Sequence, residues 1–156
     1  MTYHSVRGEK ETDLNKPIVI VIDGQGGRIG KLLVEQLAAR AEQIDLVCIG
    51  TNSIATSTML KAGAARGATG ENAIIVNCRT ADFIIGPLGI VIADSMLGEI
   101  SPAIACAIGQ SPATRLLIPL NLCSSVVIGA GNTGIKELIA LTIAQLDLSL
   151  ACRPER

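Results

Sequence analysis

The sequence predicts an α/β domain built on a doubly wound, mainly parallel sheet. Three observations carry that expectation. Pro17 is followed by Ile18-Val19-Ile20-Val21-Ile22, an unbroken apolar run rich in β-branched residues, which reads as a strand covered on both faces. The run exits into Asp23-Gly24-Gln25-Gly26-Gly27-Arg28-Ile29-Gly30, after which Leu32, Leu33, Leu37 and Ala38 recur at helical spacing. Strand-like and helix-like stretches alternate from there on, and the first two strands start about 30 residues apart, the length of one βαβ unit.

Taken in order, residues 1–16 are polar and charged and are expected to form a flexible extension. The first strand and the glycine turn lead into a helix that runs to about Ala41. Asp45-Leu46-Val47-Cys48-Ile49 is the second strand, placed parallel to the first by a right-handed crossover. Gly50-Thr51-Asn52-Ser53 follows and opens a helix through Ile54, Met59 and Leu60 to Gly63, with Asn52 or Ser53 as its cap. Gly67-Ala68-Thr69-Gly70-Glu71-Asn72 reads as a second glycine turn. Ala73-Ile74-Ile75-Val76-Asn77 suits helix or strand, and Thr69 and Glu71 ahead of it favour the helix.

Asp82-Phe83-Ile84-Ile85-Gly86 is the third strand, stopped by Pro87. Leu88 to Leu97 again admits both states. Ile90-Val91-Ile92 has strand propensity, while the α/β alternation favours a short helix. Ser101-Pro102 starts a helix that ends near Gly109. Arg115-Leu116-Leu117-Ile118-Pro119 is the fourth strand, Val126-Val127-Ile128 a short fifth, and Ile135 to Leu148 the closing helix. The whole is a single five-stranded Rossmann-like domain over residues 17–150, with 151–156 a polar tail.

In such sheets ligands sit beyond the carboxyl ends of the strands. Glycine at the first exit accepts positive φ and lets backbone approach a ligand, and the helix start behind it offers N–H groups and a positive dipole end to a phosphate. The expected binding residues are therefore Asp23, Gly24, Gln25, Gly26, Gly27, Arg28, Ile29 and Gly30. Gly50, Thr51, Asn52, Gly86, Pro87 and Asn121, at the other exits, would line the same crevice. The expected ligand is a nucleotide or dinucleotide, NAD(P) being one possibility.

Three departures shape that expectation. The cluster reads G-x-G-G-x-x-G, and the dinucleotide fingerprint would need glycine where Ile29 stands. A Walker A loop would need glycine at Gln25 and Ser or Thr at Leu32. The second strand ends in Gly50-Thr51-Asn52, without the Asp or Glu that holds ribose hydroxyls in an NAD site. A literal G-x-G-x-x-G does occur at Gly129-Ala130-Gly131-Asn132-Thr133-Gly134. It is expected to be only a turn, because the closing helix uses up the chain and no strand can follow.

A catalytic alternative would draw on Asp23, Glu71, Asp94 or Glu99, whose spacing alone does not bring any pair together. A third reading is a regulatory or structural oligomer subunit. The residues name no reaction.

Charged residues make up 17% and hydrophobic residues 49%, against a usual charged share of about 25%. No apolar run approaches the ~20 residues of a membrane span, so the excess is assigned to a covered sheet and a homodimer interface. A net charge of −1, with Tyr3 and Phe83 as the only aromatic residues, argues against nucleic-acid binding. The polar opening is no signal peptide, and Cys48, Cys78, Cys106, Cys123 and Cys152 form no C-x-x-C pair. Both suit a reducing, cytoplasmic setting. Cys48 and Cys106 lie in apolar patterns and are expected to be buried. The lone histidine, His4, lies in the extension, so neither a metal site nor a Cys–His couple is expected.

Four segments go further: Val21-Ile22-Asp23-Gly24-Gln25-Gly26-Gly27, Gly50-Thr51-Asn52-Ser53-Ile54-Ala55-Thr56, Gly67-Ala68-Thr69-Gly70-Glu71-Asn72-Ala73-Ile74, and the run Gly86-Pro87-Leu88-Gly89-Ile90-Val91-Ile92-Ala93-Asp94-Ser95-Met96-Leu97-Gly98-Glu99. Together they resemble a family of small bacterial proteins of unknown function. The resemblance spans roughly Ile18 to Asn121, implies a Rossmann-like domain and implies no activity.

Overall fold

The computed structural model describes residues 16–120 and 124–153. The extension up to residue 15 with His4, the tail beyond residue 153, Asn121 and Cys123 lie outside the described residues. Strands β1 (Ile18–Asp23), β2 (Asp45–Gly50), β3 (Arg66–Thr69), β4 (Phe83–Pro87) and β5 (Thr114–Ile118) form one sheet in the order β3-β2-β1-β4-β5. Every pairing is parallel. Helices α1 (Arg28–Leu37), α2 (Ser53–Lys61) and α5 (Ile135–Ala151) cover one face, and α3 (Glu71–Cys78) and α4 (Pro102–Gln110) the other.

Strand periodicity explains the two cores. Successive side chains of a strand point to opposite faces. Val19, Val21, Cys48, Phe83 and Ile85 thus pack under α1, α2 and α5 against Leu33, Met59 and Ile143. Ile20, Ile22, Val47, Ile49 and Ile84 pack under α3 and α4 against Ile74, Ile104 and Ile108. Val19 to Ile22 are wholly buried. Each such side chain is worth about 1.5–3 kcal/mol relative to exposure, which is why β1 is the axis of the sheet.

The helix ends follow local chemistry. Asn52 Oδ1 accepts the Ala55 N–H at 2.9 Å and caps α2. Ser101 Oγ accepts the Ile104 N–H at 3.2 Å, with Pro102 at the first position of α4. At the far end of α1, Arg40 donates to both oxygens of Asp147 on α5, at 2.8 and 2.7 Å. That hydrogen bond holds the Asp147 carboxyl below its usual range and lifts Arg40. On an exposed surface it is worth about 0–1 kcal/mol, so it orients α5 more than it stabilises the fold.

The order of elements departs from the sequence expectation at two places. Gly67, Ala68 and Thr69, expected to open a glycine turn, instead lie in edge strand β3, paired Val47↔Arg66 through Gly50↔Thr69. Its propensity is poor, and the β2 ladder makes it a strand. Gly67 is needed there, because a Cβ would stand 2.9 Å from Cys48 Sγ and 3.0 Å from Leu60 Cδ2. Conversely, Val126-Val127-Ile128 is not a strand. It has β-branched residues but pairs with nothing in the sheet, and Val126 and Ile128 are 79% and 92% exposed.

Residues 71–78 are helical, as expected of 73–77. Residues 88–97 hold a 3₁₀ turn at Leu88–Val91 and the start of a second at Met96–Gly98, with irregular chain between them. Cys48 and Cys78 are buried, and Cys106, expected inside, is exposed on α4. Burial pushes the Cys48 thiol up and the Cys78 thiol to about 11, so both stay protonated and unreactive at neutral pH.

Candidate functional site

The strand order reverses between β1 and β4, so the connections leaving their carboxyl ends turn to opposite faces of the sheet and leave a crevice. On its β1 side the chain turns through Asp23 to Gly30. Asp23 is only 4% exposed, and its carboxylate closes the start of α1. Oδ1 accepts the Gly24 N–H at 2.8 Å and Oδ2 the Gly30 N–H at 2.7 Å. Burial pushes the Asp23 carboxyl above its usual value, against the pull of those amides and with help from nearby Glu99.

Glycine is required at two positions of this turn. Gly27 has φ +69°, and a Cβ there would stand 2.8 Å from Ala55 Cα and 2.9 Å from Ala55 O. A Cβ on Gly30 would stand 2.4 Å from Met59 Sδ. These close approaches seat α1 against α2. Gly26 differs: a Cβ there meets nothing within 4 Å. Among the described residues, no acceptor takes the Gly26 or Arg28 N–H.

On the β4 side, residues 92–99 form a strap across the end of β1. Asp94, Met96 and Leu97 have φ of 63°, 54° and 57°. Such left-handed geometry costs non-glycine residues on the order of 1–3 kcal/mol each and persists only where the surroundings enforce it. Here the Asp94 N–H donates to Ile100 O at 2.7 Å, and Ser95 Oγ to Gly89 O at 2.5 Å. Met96 is buried, while Leu97 is 97% exposed.

Glu99 ends the strap and ties three segments together. One oxygen, Oε2, accepts the Gln25 N–H at 2.7 Å, Thr51 Oγ1 at 2.5 Å and Asn52 Nδ2 at 3.1 Å. Partial burial pushes its carboxyl up, but these three donors together hold it below the usual glutamate value. The acid that the end of β2 lacks in sequence is thus present in space, delivered from beyond β4.

Two adjoining cavities open above the reversal. One of about 390 Å³ is lined by Asp23 to Ile29, Pro87, Met96, Leu120 and Ile135. The other, about 530 Å³, is lined by Gln25, Pro87, Gly89, Ile92 to Leu97, Leu120 and Ser124. Both fall in the size range of small-molecule sites.

The turn residues Asp23 to Ile29 and Pro87 are therefore brought together around one space. Gly30 lies beneath it, packed on Met59. Gly86 sits inside β4, where a Cβ would stand 2.4 Å from Ile22 O. Gly50 packs on Thr56, and Thr51 and Asn52 face Glu99 rather than the cavities. Of the four acids considered for catalysis, Asp23 and Glu99 are engaged as described, Glu71 accepts from Ser101 Oγ at the start of α4, and Asp94 lines the larger cavity.

Sequence reasoning missed Met96, Ser124 and Ile135 as lining residues. The one available signal was positional: Met96 follows the exit of β4. Among the described residues, no group of three or more His, Cys, Asp or Glu could hold a metal ion, and no helix is long and apolar enough to cross a membrane.

Solved structures to which the chain is similar include the following two. One is a universal stress protein in complex with cAMP, 21% identical, covering 67% of this chain and 98% of that one with a TM-score of 0.40. The other is a dodecameric FMN-dependent Ubix-like decarboxylase from Escherichia coli O157:H7, 16% identical, covering 84% and 76% with a TM-score of 0.42. No curated protein matches the sequence. A family match spans residues 18–150, from the first residue of β1 almost to the end of α5, and so the chain belongs to the family described as Domain of unknown function (DUF3842).

Proposed function

We propose that the crevice binds a nucleotide or a related phosphorylated small molecule, with the Gly24–Gly30 turn as the cradle for its phosphate. The observation that carries this reading is the open space at Gly26, flanked by the unclaimed Gly26 and Arg28 amides and the exposed Arg28 side chain. Two N–H groups and one guanidinium are a fitting donor set for one phosphate. Asp23 takes the neighbouring amides, so the phosphate would sit at the rim of the turn, over Gly26, rather than deep against Gly30. NAD(P), ATP and FAD are the ligands to try first.

Gly26→Val tests this directly, because the added side chain fills the cradle without touching the fold. Ligand-induced thermal stabilisation should disappear while the circular dichroism spectrum stays that of the wild type. If none of NAD(P), ATP or FAD shifts the wild-type melting temperature at millimolar concentration, the reading fails.

The same proposal places the chain as a cytoplasmic homodimer. Cys48, Cys78, Cys106 and Cys152 are free thiols, which suits a reducing compartment. Leu141 and Leu148, two turns apart on α5, are 57% and 63% exposed and offer an apolar stripe for a second copy. Light scattering at micromolar concentration should give about twice the 16.1 kDa of one chain. A monomeric mass would refute the dimer.

A further inference from the structure

We infer that Glu99 is a specificity-determining residue that restricts the crevice to ligands with a single nucleoside and keeps dinucleotides out. The inference rests on the phosphate-binding reading above and narrows it.

A dinucleotide lies across a doubly wound sheet with one nucleoside over each half, and the first half is held at the exits of β1 and β2. In this chain the donors that join the β2 exit to the start of the β1 turn are already spent. The Gln25 N–H, Thr51 Oγ1 and Asn52 Nδ2 all converge on Glu99 Oε2. Asn52 Nδ2 also donates to Gln25 O at 2.9 Å, closing the β2 exit onto the β1 turn. There is no room above the first glycine either. A Cβ on Gly24 would stand 2.7 Å from Glu99 Oε2, 2.8 Å from Met96 Sδ and 2.8 Å from Thr51 Oγ1. The space a first nucleoside would take is filled by this chain's own strap.

The other half is short. A full dinucleotide sheet runs 3-2-1-4-5-6, and the described residues supply the order only as far as β5. What remains open is the pair of cavities over β1 and β4, on the far side of the strap from Thr51 and Asn52. The strap behaves as a fixed wall rather than a lid, because its left-handed residues are held by Ile100 O, Gly89 O and the burial of Met96.

Calorimetric titration of the full chain with ADP and with NAD⁺ tests this. The wild type should bind ADP at least ten-fold more tightly than NAD⁺. Glu99→Ala, which frees the Gln25, Thr51 and Asn52 donors and opens the space over Gly24, should lower that ratio at least five-fold by admitting NAD⁺. Glu99→Gln keeps an oxygen for the three donors and should retain the wild-type ratio, which a loss of charge alone would not allow. Equal affinity of the wild type for both probes, or an unchanged ratio in Glu99→Ala, overturns the inference while leaving phosphate binding intact. Failure of both probes to bind the wild type overturns the phosphate-binding reading and this inference with it. Should Glu99→Ala not fold, Thr51→Val loosens the same clasp from the β2 side, and an unchanged ratio there is equally fatal.

Discussion

Gly27→Val is expected to lower the melting temperature by about 8 °C or more, whereas Gly26→Val, one residue away, should leave it within about 2 °C. Two costs add at Gly27. Its φ of +69° is a left-handed conformation, which costs a residue with a Cβ roughly 1–2 kcal/mol and a β-branched one more. The new Cβ would also stand 2.8 Å from Ala55 Cα and 2.9 Å from Ala55 O. Backbone cannot swing aside as a flexible side chain does, so α1 must lift from α2, at a typical overpacking cost of about 1–3 kcal/mol. Gly26 carries neither cost: its Cβ meets nothing and its φ is ordinary. Chemical denaturation of the two variants side by side is the check. Equal stabilities would mean that the seat of α1 on α2 is not set by this glycine.

Asp23→Ala should cost on the order of 3 kcal/mol, or about 6–12 °C in melting temperature for a chain of this size. The carboxylate is the common acceptor for the Gly24 and Gly30 amides in a buried site, and alanine leaves both without it. Asp23→Asn, which keeps one acceptor oxygen, should cost less and also reveals the sign of the titration. Burial raises the folded-state pKa of Asp23 above that of a free aspartate. The folded chain therefore binds a proton more readily than the unfolded chain, and this group's contribution to stability falls as pH rises above that value. The stability gap between wild type and Asp23→Asn should accordingly be widest in acid and narrow toward neutral pH. A gap that widens with pH would mean the amides outweigh burial.

The parts of the fold legible in the sequence are those where one physical signal acts alone. β1, β2 and β4 are covered on both faces, so they are written as unbroken apolar runs. β3 is not legible, because a short edge strand with Gly67 in it owes its existence to the β2 ladder rather than to its own residues. Val126-Val127-Ile128 is the converse error, strand propensity with no partner to pair with. The site divides the same way. A strand that turns into a helix through four glycines is a local pattern, and it marked Asp23 to Ile29. The Glu99 clasp is not local. It joins Gln25 to a residue 74 positions on, and no spacing rule reaches that far. Its counterpart in sequence is only a missing acid after β2, which reads as a departure until the strap is seen to fill it.

The free side of β5 has a consequence for how copies of this chain can meet. A parallel edge strand presents a row of N–H and C=O groups that invites a foreign strand, the route to sheet-on-sheet aggregation. Here the strand is five residues long, has exposed Arg115 near its middle, and is flanked by Pro112 and Pro119. Arg115 is itself anchored, donating to Ser111 O at 2.8 Å, so its charge cannot swing clear of the edge. A charged gatekeeper between two prolines blunts templated pairing. Extension of the sheet past β5 is thereby disfavoured, and the homodimer proposed above would instead bury exposed apolar side chains such as Leu141 and Leu148 of α5.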